Sequence, residues 1–494
     1  MRRFSPRISF VLAAALSLTA ASWFPIASGE PFPPTVHTSV EVDGRLLVQG
    51  GTRVALRADS QVVARGDSRT ATVTECSPLW FDAVGVTWQQ TGGGEIDARL
   101  RTRGEAGFGQ SVEMHADPTH SPDPDTPDSA GAREGTPLLW TGGGRCVRFS
   151  LAFDGEAELS NVKVFFVNSS GTADGPGTAP PEPLTAFGLE DAEALANEPK
   201  IITRKEWGAQ EGLNNCDPYY SDAVRMAFVH HTVTPNGYSK GQADDFVRSI
   251  HAYHTRGQGW CDIAYNFLID RYGRIYEGRK GGIELPVVGA AQQGFNDNAA
   301  SVALIGNFLH HKVFAGALHA LKDLLNWRLD VAHVDPTDRA LMKSSGGPNT
   351  RYEKGDEVRL RTISGHRNTG FTSCPGTRLY RKLRSVRRQV NDMGLPKIYY
   401  PEAKPPSIQQ GLQTTKISAD GTEILDWSVE IRNANGDLVR TLNATAADLA
   451  VFWNGKDEFD TLVPVGPYEA TVSAQGVSGA ARPAELTIKV KVPS

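Results

Sequence analysis

The sequence predicts a multidomain chain, in which an all-β sandwich is followed by an α/β domain and then by a small β domain. With 494 residues, the chain is too long for one ordinary hydrophobic core. Apolar and polar residues alternate with period two between residues 32 and 168, which predicts strands. After residue 199, strand-like apolar runs alternate with stretches of helical periodicity, which is typical of a mixed sheet flanked by helices. The predicted domains are 30–168, 199–395 and 413–494.

The predicted sandwich is of the jelly-roll type. Its strands are expected in the following apolar runs: 40–48, 81–88, 96–102, 146–153 and 162–167. Residues 117–136 are rich in Pro, Asp, Ser and Gly, so a mobile surface loop is expected there. Two stretches rich in small residues or proline, 169–198 and 396–412, are predicted linkers.

The N-terminus has the pattern of a signal peptide. Three arginines precede a short apolar run at residues 8–21, and small residues at 27–29 suit cleavage after Gly29. An uncleaved anchor is the alternative. Residues 1–29 are therefore predicted to direct export into a compartment where cysteines tend to pair.

The predicted α/β domain contains clear helix signals. Ser239 and Gln242 form a capping-box pattern before one amphipathic helix. Leucines from 318 to 329 indicate a second, and a third is expected to follow Pro375 and to end at Gly394. A hairpin is expected around Tyr272 and Gly273, between runs 265–269 and 274–276.

The charge balance disfavours nucleic acid as a partner. The chain has 51 Lys and Arg against 56 Asp and Glu, a net charge of -5. Such a chain offers no electrostatic attraction for a polyanion.

Three side chains form a candidate metal site. His366 and Cys374 flank a run of turn-forming residues, so one loop can bring both side chains to one point. His230 lies near the end of an apolar run that predicts a buried strand, a rigid place for a third ligand. Two imidazoles and one thiolate suit zinc and leave a fourth position open, as in catalytic sites. Spacing alone leaves buried structural histidines as the alternative.

Around these residues the sequence resembles the zinc-dependent N-acetylmuramoyl-L-alanine amidase family (type 2 amidases), which includes the peptidoglycan recognition proteins. Five motifs carry the resemblance in the family's order: RKEWGAQ at 204–210, FVHHT at 228–232, GWCDIAYNFLID at 259–270, GRIYEGR at 273–279 and GHRNTGFTSCPG at 365–376. The resemblance implies that His230, His366 and Cys374 bind zinc. It also implies cleavage of the amide between N-acetylmuramic acid and L-alanine of peptidoglycan by zinc-bound hydroxide.

The resemblance implies further roles. Tyr265 and Thr372 match positions that assist catalysis by hydrogen bonding, although a core tyrosine and a loop-stabilising threonine are the alternatives. Substrate-binding positions are implied for four residues: His231, Thr232, His254 and Trp260. Two residues depart from the family pattern, because Ala291 replaces a histidine and Asn368 replaces an aspartate.

The chain has five cysteines. If Cys374 is held as a metal thiolate, the other four can form one disulfide in each domain, Cys76 with Cys146 and Cys216 with Cys261. Four cysteines allow three pairings, and this choice rests on proximity in sequence.

The last domain resembles the small Ig-like domain of flagellar hook-capping proteins, which is also found at the C-termini of many secreted bacterial enzymes. Its runs at 427–432 and 438–442 flank Asn435-Gly436, a signal for a strand, a primed turn and a strand. The resemblance implies a spacer or wall-docking role.

The sequence as a whole predicts a secreted, cell-wall-associated zinc amidase that is a monomer and has peptidoglycan as its partner. A peptidoglycan-binding recognition protein without catalysis is the first alternative. A zinc peptidase that cuts within the stem peptide is the second, but the chain has no HExxH motif.

Overall fold

The computed structural model describes residues 35–41, 61–65, 68–91, 96–104, 107–115, 120–153, 158–169, 198–394 and 396–493. The predicted signal peptide and nearly all of the predicted linker at 169–198 lie outside these ranges. Within them, no helix has both the length and the apolar composition needed to cross a membrane.

The N-terminal part is a nine-stranded sheet with the order β1-β9-β3-β8-β4-β5, in which β2 and β7 also pair with β3 and β6 pairs with β4. The strands are β1 (Thr35–Glu41), β2 (Gln61–Arg65), β3 (Ser68–Thr91), β4 (Ile96–Gly104), β5 (Gly107–Phe108), β6 (Val112–His115), β7 (Glu134–Gly135), β8 (Leu139–Phe153) and β9 (Glu158–Asn168). Alternate apolar residues of β3, β4, β8 and β9 form one buried cluster that includes Trp88. This period-two burial follows from the pleat of the strands.

Other residues of this sheet pack against the central part of the chain. The Trp140 ring is stacked on Phe246, with ring centroids 4.2 Å apart. Phe165 and Val167 belong to the same buried cluster as Phe246 and Tyr253. The two parts therefore share a hydrophobic core.

The central part contains a six-stranded mixed sheet with the order β10-β13-β12-β14-β11-β17 and a separate β15-β16 hairpin. The strands are β10 (Ile201–Ile202), β11 (Met226–His231), β12 (Phe267–Ile269), β13 (Ile275–Glu277), β14 (Ala299–Leu304), β15 (Arg339–Lys343), β16 (Glu357–Arg361) and β17 (Ile363–Gly365). All six residues of β11 are buried, as expected for a central strand covered on both faces.

Helices cover this sheet. They are α1 (Gln242–Ala252), α2 (Ala315–Val331), α3 (Thr377–Tyr380) and α4 (Leu383–Asn391). The capping box before α1 is present, since the Ser239 amide donates to Gln242 Oε1 and the Gln242 amide donates to Ser239 Oγ. Leucines of α2 pack with α4 and β14 in one cluster. The predicted last helix is divided into α3 and α4.

The C-terminal part is a seven-stranded sheet with the order β18-β20-β22-β24-β19, in which β21 pairs with β20 and β23 with β22. The strands are β18 (Ile398–Lys404), β19 (Ser407–Gln409), β20 (Thr415–Asn433), β21 (Leu438–Trp453), β22 (Gly466–Gly476), β23 (Gly479–Ala480) and β24 (Ala484–Lys491). The predicted hairpin at Asn435-Gly436 joins β20 and β21, and Gly436 has a φ of 85°.

The prediction of a linker at 396–412 was wrong. This stretch contains β18 and β19, which pair with β20 and β24. Ile398 and Ile408 are buried in the core of the C-terminal sheet, so their apolar side chains outweigh the neighbouring prolines. Prolines are tolerated here because they lie at strand ends and on the edge of the sheet.

The prediction of a mobile surface loop at 117–136 was also wrong for the residues that the structure describes, 120–136. Asp123, Asp128 and Thr136 are buried against the central part of the chain. Their polar groups bond to partners from a distant stretch of sequence, which composition alone does not reveal. We refer to residues 120–136 as the inserted segment.

Candidate metal centre and cleft

Two of the predicted ligands extend from neighbouring parallel strands. β11 pairs with β17 in a register that places Val229 opposite Gly365. His230 and His366 are the residues that follow these two positions. Since the carboxyl ends of parallel strands meet at one edge of a sheet, both imidazoles lie at the same edge. Their ring centroids are 4.8 Å apart.

The third predicted ligand returns to this edge through a tight loop. The Gly370 amide donates to the His366 carbonyl at 3.0 Å, and the Arg367 amide donates to the Cys374 carbonyl at 2.9 Å. Asn368 stabilises the loop, because its Oδ1 accepts from the Gly365 amide and its Nδ2 donates to the Tyr380 hydroxyl. The side chain that replaces the family aspartate is therefore held at both ends.

The structure brings a fourth side chain into this group. The ligand atoms of four residues lie within 4.8 Å of one another: His120, His230, His366 and Cys374. Cys374 Sγ is 3.8 Å from His230 Nδ1 and 3.8 Å from His120 Nε2. His120 belongs to the inserted segment, 254 positions before Cys374. The group is buried.

These residues fit a zinc ion. Tetrahedral zinc with bonds of about 2.0 to 2.3 Å separates its ligand atoms by about 3.3 to 3.6 Å. The two 3.8 Å distances from Cys374 Sγ therefore need only a small contraction, whereas pairs near the 4.8 Å limit of the cluster must move closer by about 1 Å. Imidazole nitrogen and thiolate sulfur are the donors that zinc prefers. Cys374 is buried and takes part in neither disulfide, so its sulfur can act as a thiolate ligand.

The electrostatics of the site suit metal binding. Burial lowers the pKa of His230 well below its ordinary value, and the nearby imidazoles of His366, His120 and His231 lower it further. The ring is therefore neutral at pH 7, and a neutral imidazole is the form that binds a metal. Burial likewise lowers the pKa of His254.

Tyr265 lies beside the cluster. Its side chain is buried, and its ring centroid is 5.6 Å from that of His230 and 5.8 Å from that of His120. The Tyr265 ring therefore borders the candidate metal position.

Thr372 has an observed structural contact. Its hydroxyl oxygen accepts a hydrogen bond from the Cys374 amide at 3.1 Å. This bond supports the loop that carries the cysteine, which was one of the two interpretations of this residue.

The four predicted substrate-binding residues line one small cavity of about 40 Å³. His231, Thr232, His254 and Trp260 share this cavity with Tyr265 and with residues of the N-terminal part. His231 Nδ1 accepts from the Phe308 amide, and His254 Nδ1 accepts from the Ala264 amide. Ligand pockets usually measure about 300 to 1,000 Å³, so this cleft is filled.

The cleft is filled by residues outside the predicted site. His120 and Thr136, both from the inserted segment, line the cavity, together with Pro137 and Leu138. The Thr136 carbonyl accepts from the Tyr253 hydroxyl at 2.9 Å. Ala291 is fully buried in the neighbouring core.

Asp123 anchors the first half of the inserted segment. Its Oδ1 accepts hydrogen bonds from the Gly294 amide at 2.7 Å and from Asn296 Nδ2 at 2.8 Å. The carbonyls of Ser121 and Pro122 accept from Asn296 and from Gln293. Burial raises the pKa of Asp123 to about 6.

Asp128 anchors the second half. Its carboxylate forms a bidentate ion pair with Arg279, with distances of 2.7 and 2.8 Å. The same carboxylate accepts from the Cys261 amide and from the Tyr219 hydroxyl, each at 2.9 Å. All four polar contacts come from the central part, so the segment is firmly docked there.

Both predicted disulfides are present. Cys76 is bonded to Cys146 and Cys216 to Cys261. Cys76 and Cys146 are direct partners on β3 and β8. The structure brings together the three predicted ligands His230, His366 and Cys374, and adds His120, which the sequence did not indicate. The sequence did not indicate Asp128 either. The sequence feature that could have indicated these two residues is a histidine followed by several acidic residues in a polar segment. This feature is too common in proteins to predict a site.

Comparisons with known proteins found similar sequences for the central part of the chain. The sequence profile of the N-acetylmuramoyl-L-alanine amidase family matches residues 220–377. Peptidoglycan-recognition protein SC2 of Drosophila melanogaster is 28% identical over 185 residues, which are 37% of this chain and 85% of that protein. Peptidoglycan-recognition protein SA of the same species is 35% identical over 145 residues, 29% of this chain and 68% of that protein.

One solved structure among the similar ones is Drosophila PGRP-LB. It is 26% identical, with a TM-score of 0.30, and the match covers 38% of this chain and 93% of that one. The family profile and the identity to the recognition protein SA show that this chain belongs to the family of type 2 amidases and peptidoglycan-recognition proteins.

Proposed function

We propose that this protein is a zinc-dependent N-acetylmuramoyl-L-alanine amidase, which hydrolyses the amide between N-acetylmuramic acid and L-alanine of peptidoglycan. The observation that carries the proposal is the convergence of His230, His366 and Cys374 from two strand ends and a loop. Nothing in the packing of the sheet requires two imidazoles and a thiolate at one buried point. A metal site does require it.

Each residue has a role in this reaction. Zinc, when bound, polarises the scissile carbonyl and lowers the pKa of water. His230, His366 and Cys374 hold the ion. The Tyr265 hydroxyl donates a hydrogen bond to the oxyanion that develops from the carbonyl, and this bond strengthens as negative charge builds up. The Thr372 hydroxyl holds the Cys374 loop and is the second candidate donor to the carbonyl.

The substrate occupies the cleft in this proposal. His231, Thr232, His254 and Trp260 form its wall beside Tyr265. The names of the recognition proteins to which this chain is similar support peptidoglycan as the partner. Ala291, in place of a family histidine, alters the contacts offered to the stem peptide.

A second candidate function is peptidoglycan binding without hydrolysis. The observation that favours it is the filled cleft together with the presence of His120 among the ligand atoms. Four protein ligands are typical of structural rather than catalytic zinc.

We also propose that the protein is exported, associates with the cell wall and is a monomer. The two disulfides support export, since such bonds persist in oxidising compartments. The N-terminal sheet and the C-terminal sheet, the latter as an Ig-like module, would serve as packing, spacer or wall-docking parts.

A digestion experiment tests the function. The purified chain and its His120→Ala variant are analysed for zinc content and then incubated with peptidoglycan, and the products are identified by mass spectrometry. We expect one zinc per chain and a product with a new amine on L-alanine. The His120→Ala variant should give both results, whether or not the natural chain releases peptide. Cys374→Ser should lose both, whereas His319→Ala, a control at a 72% exposed side chain, should lose neither.

The same experiment separates the alternatives. Retained zinc and peptidoglycan binding with no released peptide from either protein would refute the amidase and support the recognition function. A new amine within the stem peptide would identify a peptidase instead.

A further inference from the structure

The fourth member of the metal cluster comes from outside the amidase domain. His120 lies 100 residues before the start of the family match at residue 220. Its Nε2 is 3.8 Å from Cys374 Sγ, the same distance as His230 Nδ1. Its ring centroid is 4.5 Å from that of His366 and 5.3 Å from that of His230. His120 thus has the same access to the metal position as the predicted ligands.

We propose that His120 is the fourth zinc ligand and that the inserted segment keeps this enzyme in a latent form. The inference rests on the proposed amidase function. Catalysis by zinc needs a coordination position for water or substrate, and His120 takes that position. Activity then requires the segment to leave.

The segment blocks the substrate as well as the metal. His120 and Thr136 line the cavity beside Tyr265, His231 and His254. The remaining volume of about 40 Å³ is close to that of a single water molecule and far below that of a muramyl peptide. A substrate can enter only when these residues move.

The attachment of the segment suits reversible opening. Its anchors are polar groups, chiefly the carboxylates of Asp123 and Asp128, which water can satisfy after release. Asp125 and Pro127 are exposed at its surface. Opening therefore exposes less apolar area than removal of a core element would, and such regions open at lower cost than the core.

The expected size of the effect follows from the population of the open state. If the segment is open in about 1% of molecules, the apparent activity is about 1% of that of a permanently open form. His120→Ala frees the coordination position and removes one attachment of the segment, so we expect it to hydrolyse peptidoglycan at least about tenfold faster than the natural chain.

Cobalt substitution tests the ligand assignment independently of activity. Zinc in the full-length protein is replaced by Co²⁺, and the visible absorption spectrum is recorded with and without azide. Azide should leave the spectrum of the natural chain unchanged, because no coordination position is open. In His120→Ala, azide should shift the ligand-field bands. His319→Ala should behave like the natural chain.

A second pair of variants tests the docking of the segment while His120 stays in place. Asp123→Ala removes the contacts to Gly294 and Asn296 and should confer partial azide sensitivity and intermediate activity. Asp125→Ala is the matched control, because that carboxylate is 81% exposed and only pairs with Lys354. It should leave both readouts unchanged. If His120→Ala fails to fold, this pair of variants still tests whether the docked segment blocks the metal site.

The outcomes distinguish the two proposals. Equal azide responses in the natural chain and His120→Ala would overturn the ligand assignment. Equal hydrolysis by the natural chain, His120→Ala and Asp123→Ala would overturn latency. If azide sensitivity changes as expected but no variant releases peptide, the ligand assignment holds while the amidase function and the latency fail.

Discussion

Asp128 and Arg279 form a buried bidentate ion pair across 151 positions of sequence. Both side chains are almost inaccessible to solvent. The pair joins the inserted segment to a strand-flanking loop of the amidase domain. Its importance can be tested without reference to catalysis.

Asp128→Ala should loosen the inserted segment strongly. The substitution leaves the Arg279 guanidinium buried without its anion, and breaking such a pair costs about 3 to 5 kcal/mol. Hydrogen exchange of the Arg133 amide, which donates to the Gln258 carbonyl, reports the opening. Asp125→Ala should change this protection by less than about 1 kcal/mol, because its ion pair is exposed. Equal protection in both variants would contradict the prediction.

The docking of the segment should weaken as pH rises from 4 to 6. Burial raises the pKa of Asp123 to about 6 from an ordinary value of 3.8, and the partners that lower it again are uncharged, namely Asn296, Gly294 and Ser345. A raised carboxyl pKa means that the folded state binds the proton more tightly, so the proton-linked part of the stabilisation is complete below pH 4 and lost above pH 6. The hydrogen bonds from Gly294 and Asn296 remain at neutral pH.

The difference should amount to about 2 to 3 kcal/mol in the free energy of opening. Hydrogen exchange of the segment at pH 4 and pH 7, corrected for intrinsic rates, measures it. Asp123→Asn should remove the dependence. A dependence that persists in Asp123→Asn would assign it to another group.

Gly259→Ala should displace the inserted segment. Gly259 has a φ of 74°, and a Cβ there would overlap the Gly131 carbonyl oxygen. Gly131→Ala should have a smaller effect, since its Cβ would lie 3.0 Å from the Gly259 oxygen. Gly212→Ala is the control, because no atom lies within 4 Å of its Cβ position. Thermal unfolding and the rate of proteolysis within the segment measure the destabilisation caused by each variant. The destabilisation should decrease in the order Gly259→Ala, Gly131→Ala, Gly212→Ala. Any other order would contradict the close contact between Gly259 and Gly131.

Removal of the metal should destabilise the protein. A bound ion stabilises the folded state by mass action, and at the proposed site it would join two strand ends, a loop and the inserted segment. A strong chelator should lower the unfolding temperature by several degrees and release one zinc per chain. Cys374→Ser should have the lower unfolding temperature without chelator, and the chelator should not lower it further. A chelator effect of equal size in Cys374→Ser would exclude this site as its origin.

Tyr265→Phe should lower the rate of hydrolysis without loss of zinc. Removing one hydrogen-bond donor to the developing oxyanion costs a factor of about 10² to 10³ in kcat. The measurement is made in the His120→Ala background, where the fourth coordination position is left for water. Tyr220→Phe, which removes an exposed hydroxyl, is the control. Unchanged kcat in Tyr265→Phe would assign this residue to the core alone.

Local patterns predicted the parts of the molecule that local chemistry determines. The buried run before His230 and the turn residues between His366 and Cys374 led to the correct placement of three converging side chains. The hairpin at Asn435-Gly436 followed from the left-handed backbone that glycine allows.

The features that the sequence did not predict depend on contacts with residues that are distant in sequence. The inserted segment has the composition of an exposed loop, and its burial depends on Arg279, Asn296 and Cys374, which pattern analysis of the segment does not include. Proline likewise suggested a linker at 396–412, whereas Ile398 and Ile408 complete the C-terminal core.

The contact of Tyr253 with the N-terminal sheet has a consequence for protein engineering. Its ring lies where a side chain on Gly85 would have to be, and its hydroxyl donates to the Thr136 carbonyl. A chimera that joins this amidase domain to a foreign N-terminal module must leave the space for the tyrosine ring that Gly85 leaves here. Without that space, a side chain at this position would overlap the Tyr253 ring and the two parts could not pack as they do here.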